Sequence, residues 1–209
     1  MNMKKILFLS LMVLVAAACQ KEPYQDADNE YLVYTAPAKN IDFTDFQTYN
    51  IPDSILVIGQ SAKPYYSVSP DAQAIIARFM THMNDLGYTY TSDRENADLG
   101  IQITYVVRTE RFVQYYSDPY WWLDYPGYWS PGYWGNWNRF YYPYPVTYTY
   151  TTNALLTDML DLTAEGDDAK PLEIIWSSYI GGPAGSLSTM QTAIDQAFAQ
   201  SRYLGTTEQ

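Results

Sequence analysis

Cys19 is the only cysteine in the 209-residue chain. No internal disulfide is available, so whatever domain forms must be held by a packed core alone. The position of that thiol matters as much as its solitude. Lys4 and Lys5 make a short positive start, Ile6 to Val15 is apolar apart from Ser10, and Ala16, Ala17 and Ala18 place small residues just before Cys19. That order is the order of a secretory signal, and it removes residues 1–18 from any reading of the fold. The apolar run falls well short of the roughly 20 residues that cross a bilayer as a helix, and no later stretch approaches that length.

Val15-Ala16-Ala17-Ala18-Cys19 resembles the lipobox of bacterial lipoproteins, with Ala16 standing where leucine is usual. The resemblance implies cleavage before Cys19 and acylation of its sulfur and of the new amino terminus. Each buried methylene contributes about 0.8 kcal/mol, so two or three long chains on one residue make release negligible. Residues 19–30, from Cys19 to Glu30, are polar and acidic and hold too little apolar surface to order themselves. They read as a flexible tether, leaving 31–209 as one domain. Cys19-Gln20-Lys21-Glu22 also resembles the acidic surface-export signal of some Gram-negative lipoproteins. The expected location is therefore the outer membrane, with the domain facing the periplasm or the cell surface.

Without Lys4 and Lys5, the 12 Lys and Arg fall to 10 against 23 Asp and Glu, a formal charge of −13. Nucleic acid is excluded as a partner, because phosphate binding needs clustered cations. Attraction to anionic headgroups is disfavoured by the same balance.

Along the domain, Ile41 to Phe46 begins with apolar/polar alternation and predicts a half-buried strand. Ser54 to Gly59 is a short apolar run of strand length. A helix is predicted from Ser69 as N-cap, with Pro70 at its first position and Asp71 in its first turn. Ala72, Ile75, Ile76, Phe79, Met80, Met83 and Leu86 give it one apolar face, and Gly87 ends it. Leu99 to Val107 opens a long strand reaching toward Tyr116. A second long run goes from Val146 to Leu162, Glu165 to Asp168 supply a turn, and Leu172 to Ile180 make a third strand. A last helix carries Met190, Ala193, Ile194, Ala197, Phe198 and Leu204 on its buried stripe, with Ser188 and Gln191 at capping-box spacing. These elements predict an α+β fold: a two-layer sandwich of a mainly antiparallel sheet of about five strands and two amphipathic helices.

Residues 115–150 interrupt that pattern as a long aromatic-rich hairpin insertion. Five of the six tryptophans lie there, and Pro119, Pro126, Pro131, Pro143 and Pro145 forbid a regular helix or a central strand. Trp121, Trp122, Tyr125, Trp129, Tyr133, Trp134, Trp137 and Tyr141 form a candidate binding surface. Their rings offer broad apolar faces with a hydrogen-bonding edge, suited to a glycan, an envelope protein or a headgroup layer. The alternative is that they pack on their own sheet, since an unbroken exposed aromatic patch is costly.

Catalytic chemistry is sparse. His82 is the only histidine and sits at the flank of the first helix's apolar face, as a structural histidine would. A serine nucleophile would have to use it, and a zinc site would need more His or Cys ligands. Asp118 and Asp124 lie among aromatics, as the paired carboxylates of a glycoside hydrolase do, but nothing sets their separation. Asp167-Asp168 lacks the spaced oxygen ligands of a calcium loop, and Gly181-Gly182-Pro183 lacks the spacing and lysine of a phosphate loop. No enzyme, cofactor or metal is expected.

The chain resembles the envelope lipoprotein family known as domain of unknown function 4136, over about Asn40 to Leu204. The resemblance rests on Asp42-Phe43-Thr44-Asp45-Phe46-Gln47-Thr48-Tyr49, on Asn96-Ala97-Asp98-Leu99, and on Leu155 to Asp161 leading to Glu173-Ile174-Ile175-Trp176. Ser177 and Ser178 follow Trp176 where Arg-Gly is often found. It implies a periplasmic or surface-exposed α+β domain and carries over no catalytic residue.

Overall fold

The computed structural model describes residues 31–61, 65–107, 140–141, 153–163, 172–182 and 185–206. Among them the strands are β1 (Leu32–Pro37), β2 (Thr48–Asn50), β3 (Ile55–Ile58), β4 (Tyr65–Ser67), β5 (Thr89–Tyr90), β6 (Leu99–Val106), β7 (Phe140–Tyr141), β8 (Ala154–Asp161) and β9 (Leu172–Gly181). The helices are α1 (Pro70–Asp85) and α2 (Leu187–Gln200). All nine strands join one sheet, whose main path runs β1-β9-β8-β6-β2-β5.

The expected α+β sheet with two helices is present, and it is larger than the five strands predicted. Its centre is antiparallel: β1 with β9, β9 with β8, and β8 with β6. One flank is parallel, because β2 and β3 lie end to end along the same edge of β6. β3 then turns back antiparallel into β4. Of the short strands, β3 is the one read from the apolar run Ser54 to Gly59, whereas β2, β4, β5 and β7 are two or three residues long, too short to show a period in the sequence.

Helix α1 starts and stops as its residues require. Ser69 Oγ accepts from the Ala72 amide at 3.2 Å, and Pro70 occupies the first turn, where no donor is needed. Ala72, Ile76, Phe79 and Met83 point into the core. Gly87, at φ +97°, takes the left-handed conformation that ends the helix, and a β-carbon there would collide with the Thr206 hydroxyl. Helix α2 corrects the predicted cap. Ser186, not Ser188, stands at the N-cap and accepts from the Thr189 amide at 3.2 Å. Ser188 lies inside the first turn, where its carbonyl accepts from the Thr192 hydroxyl.

The predicted strand over Ile41–Phe46 is also corrected. Phe43–Asp45 form a 3-10 turn, because the Asp42 carboxylate accepts from both the Thr44 amide (3.0 Å) and its hydroxyl (2.7 Å). The turn sends both Phe43 and Phe46 inward. The predicted runs toward Tyr116 and from Val146, and the Glu165–Asp168 turn, lie outside the described residues.

Both helices sit on one face of the sheet and touch each other. Phe79 and Phe198 meet edge to face at 5.6 Å, and Tyr49, from β2, donates to Asn84 of α1. Beneath α2, Trp176 is fully buried and packs on Phe198. Strands β8 and β9 carry a bulge between Met159 and Leu160, and the freed Ile175 carbonyl accepts from the Ala38 amide.

Candidate functional site

The two helices begin side by side, and a cleft of about 370 Å³ opens between their first turns, the β3–β4 hairpin and the start of β1. Its floor is apolar, from Ile55, Val57, Ile75 and Met190, and three tyrosines wall it. Tyr31 accepts from the Gly185 amide at 3.1 Å, and a β-carbon on Gly185 would stand 3.0 Å from that hydroxyl. Glycine therefore lets the chain pass against the ring. Tyr65 donates to Gln60, and Tyr105 stands half-buried, with its phenol held above the ordinary value first by burial. The first turns of α1 and α2 bring partial positive charge to the rim, and Asp71 brings a carboxylate. The rim is thus mixed in sign. Such a cleft has the size of a small-molecule site, with an apolar floor and a few polar groups at its edge.

The sequence does not announce the cleft. Tyr31, Tyr65 and Tyr105 are scattered along it, and of the two N-caps that meet there only Ser69 is predicted as one.

The predicted site residues fall elsewhere. Cys19, Trp121, Trp122, Tyr125, Trp129, Tyr133, Trp134 and Trp137 lie outside the described residues, as do Asp118, Asp124, Asp167 and Asp168. Tyr141 is described through its backbone, which pairs in parallel with Glu173 as part of β7. His82 is on α1, stacked on Phe198 with centroids 4.5 Å apart and planes 13° from parallel. Its Nε2 lies 2.8 Å from Asp195, which also receives Nε and a terminal nitrogen of Arg78 at 2.6 and 2.5 Å. This group joins α1 to α2. Among the described residues, no three His, Cys, Asp or Glu cluster as metal ligands would.

The Asp195 carboxyl is held below its ordinary value, chiefly by the Arg78 hydrogen bonds and further by His82. A carboxyl with a depressed folded pKa adds stability that is present above the unfolded value, near pH 4, and lost as pH falls below it. Asp195 is over a third exposed, so solvent screening limits its share to about 0.5–1 kcal/mol. Asp195→Asn is therefore expected to lower stability slightly at pH 7 and by less at pH 3, because the contribution declines below pH 4 and vanishes only beneath the depressed folded value. Urea melts at the two pH values check this.

The architecture is that of an α+β domain with two helices on one face of a mixed sheet and a tyrosine-walled cleft at their common starting end. The family model for the domain of unknown function DUF4136 matches residues 33–201. A DUF4136 family protein from Bacteroides thetaiotaomicron, known from a crystal structure at 1.60 Å resolution, is 42% identical. It superposes with a TM-score of 0.77, over 86% of this chain and 100% of that one. No curated protein matches the chain. The chain belongs to the DUF4136 family.

Proposed function

We propose that the protein is a non-enzymatic lipoprotein of the outer membrane, held by acyl chains on Cys19, whose domain binds a partner or supports the cell envelope. The observation that carries this reading is the lone cysteine directly after a charged start, an apolar run and three alanines. No helix among the described residues is long and apolar enough to cross a membrane. The acyl chains supply the attachment instead, and Gln20 to Glu30 form the tether. From Cys19 to Tyr31 it reaches up to about 40 Å when extended, enough to hold the domain clear of the headgroups. Cys19→Ala is expected to move the protein from the membrane fraction to the soluble fraction, or to leave it unprocessed. The intact mass of the wild-type mature protein should exceed that of its polypeptide by the acyl groups. Unchanged fractionation, or a bare thiol on Cys19, would refute the anchor.

A second reading, binding of a glycan, is favoured by the cleft. Tyrosine rings over an apolar floor suit the faces of sugar rings, and a rim of mixed sign suits a neutral polyol better than an anion. By their side-chain chemistry alone, Trp121, Trp122, Trp129, Trp134 and Trp137 are a second candidate for the same ligand class. Tryptophan fluorescence titration with cell-wall and dietary glycans tests it, with Tyr65→Ala as the cleft control. Silence across a broad panel would remove this reading.

A further inference from the structure

The cleft lies where the domain is tied to its anchor. Tyr31, the first described residue of the domain, walls the cleft and accepts from the Gly185 amide at 3.1 Å. It stands only 12 positions beyond Cys19. Whatever path those residues take, this wall stays within about 40 Å of an acylated Cys19. The rest of the domain leads away from that corner. Strand β1 runs from Leu32, next to the cleft, to Pro37, and α2 runs from Leu187, in its rim, to Gln200, about 21 Å along the helix axis. A shallower groove, lined by Pro37, Asp42, Thr44 and Tyr203, lies at the far end. Of these two concavities, the cleft is the one held near the membrane.

We infer that the cleft takes a neutral sugar headgroup from a glycolipid of the membrane that carries the anchor. This rests on acylation of Cys19 and on the glycan reading of the cleft, and it adds where the sugar comes from. The first support is charge. Asp71 is the one charged side chain lining the cleft among the described residues, and the chain without residues 1–18 carries 10 Lys and Arg against 23 Asp and Glu. That balance repels a phosphate-bearing headgroup and leaves an uncharged sugar unopposed. Ser67 and Asp71 offer groups to sugar hydroxyls, while Tyr31, Tyr65 and Tyr105 offer ring faces.

The second support is the surface beside the mouth. Leu32 follows Tyr31, and Val68 stands between the lining residues Ser67 and Ser69. They are 53% and 66% exposed, and Tyr65 in the wall is 40% exposed. Apolar and tyrosine side chains settle in a headgroup layer without any help from charge. The third support is affinity. An open cleft with few polar groups binds a sugar weakly, because little surface is buried against the cost of association. A ligand confined to the same membrane, within reach of the tether, is met at an effective concentration on the order of millimolar with no added contact. A dissolved glycan has no such advantage.

The test uses the mature acylated protein in phosphatidylcholine vesicles with and without digalactosyl diacylglycerol. Cys19 is the only native cysteine, so a Ser67→Cys change supplies the single free thiol, at the cleft. The glycolipid is expected to slow maleimide labelling of this thiol about fivefold. Free digalactosyl glycerol at the same bulk concentration should leave the rate unchanged. An Arg202→Cys control, beyond the far end of α2, should be indifferent to both, and adding Tyr65→Ala should abolish the protection. Equal protection by the free headgroup, or equal protection at Arg202→Cys, overturns the membrane source. So does a rate that the glycolipid leaves unchanged. If a large excess of the free headgroup also fails to protect, the glycan reading falls with it; if that excess protects, the glycan reading stands alone. Mature protein with a bare Cys19 thiol that does not sediment with the vesicles overturns the anchor and this inference together.

Discussion

Trp176→Ala is expected to lower the stability of the domain by about 3–5 kcal/mol, the range for removing a fully buried large aromatic. The ring is 0% exposed, lies between β9 and α2, and packs on Phe198 with centroids 5.9 Å apart. Its Nε1 donates to Ser201 Oγ at 3.1 Å, and Ser201 is equally inaccessible to solvent. Truncation thus opens a cavity and takes the indole donor from Ser201 Oγ, leaving it only the longer contact from the Tyr203 hydroxyl at 3.4 Å. Domains of this size have about 5–15 kcal/mol in total, so the variant should sit near the edge of folding at 37 °C. Trp176→Phe retains most of the apolar contact and removes only the donor, with an expected loss of about 1–3 kcal/mol. Urea denaturation checks both, read as a lower midpoint at constant slope. A loss under about 1 kcal/mol for Trp176→Ala would mean that the helix layer is not keyed to this ring.

The second large effect is expected at Asp98. One of its oxygens, Oδ2, accepts from the Gln47 amide at 2.8 Å, the Thr48 amide at 2.8 Å and the Thr48 hydroxyl at 3.0 Å. The Asp98 amide in turn donates to Thr48 Oγ1 at 3.0 Å. This reciprocal knot stands immediately before the parallel pairing of Tyr49 with Leu99, so it holds β2 in register on β6. Parallel pairs of two residues have little strength of their own, and the carboxylate supplies what the ladder lacks. Asp98→Ala leaves two backbone donors without an acceptor and should cost about 2–3 kcal/mol, while Asp98→Asn, which keeps a neutral acceptor, should cost about 1 kcal/mol. Amide hydrogen exchange at Gln47 and Thr48 gives the local readout. Unchanged protection in Asp98→Ala would show that the register is held elsewhere.

This knot also explains part of the family resemblance. Gln47-Thr48 and Asn96-Ala97-Asp98 stand out in the sequence as two separate motifs, and in the fold they are the two halves of one joint. The role of Asp42 is similar in kind and was misread. Its neighbours alternate like a strand, yet the Asp42–Thr44 hydrogen bonds bend them into a turn, because a short acidic side chain competes with sheet pairing for the backbone. Ser186, two residues before the serine read as the cap, is the N-cap of α2, its hydroxyl accepting from the Thr189 amide.

The long elements were legible from residues 70–86 and 190–198, where apolar residues repeat at helical spacing, and from 99–106, a near-continuous buried run of strand length. Leu204, read onto the last helix, instead lies in a 3-10 turn beyond the end of α2 at Gln200. So was the single thiol, and with it the absence of an internal disulfide. Partnership at a distance was not legible. That the starts of α1 and α2 meet Tyr31, Tyr65 and Tyr105 around one cleft follows from strand order and helix placement, and these depend on which faces can be buried together. The parallel flank of the sheet has the same origin. The three-residue β2 carries no signature of its own and lies along the edge of β6 that β3 also uses. Local chemistry wrote the long elements into the chain, and packing alone decided what stands beside what.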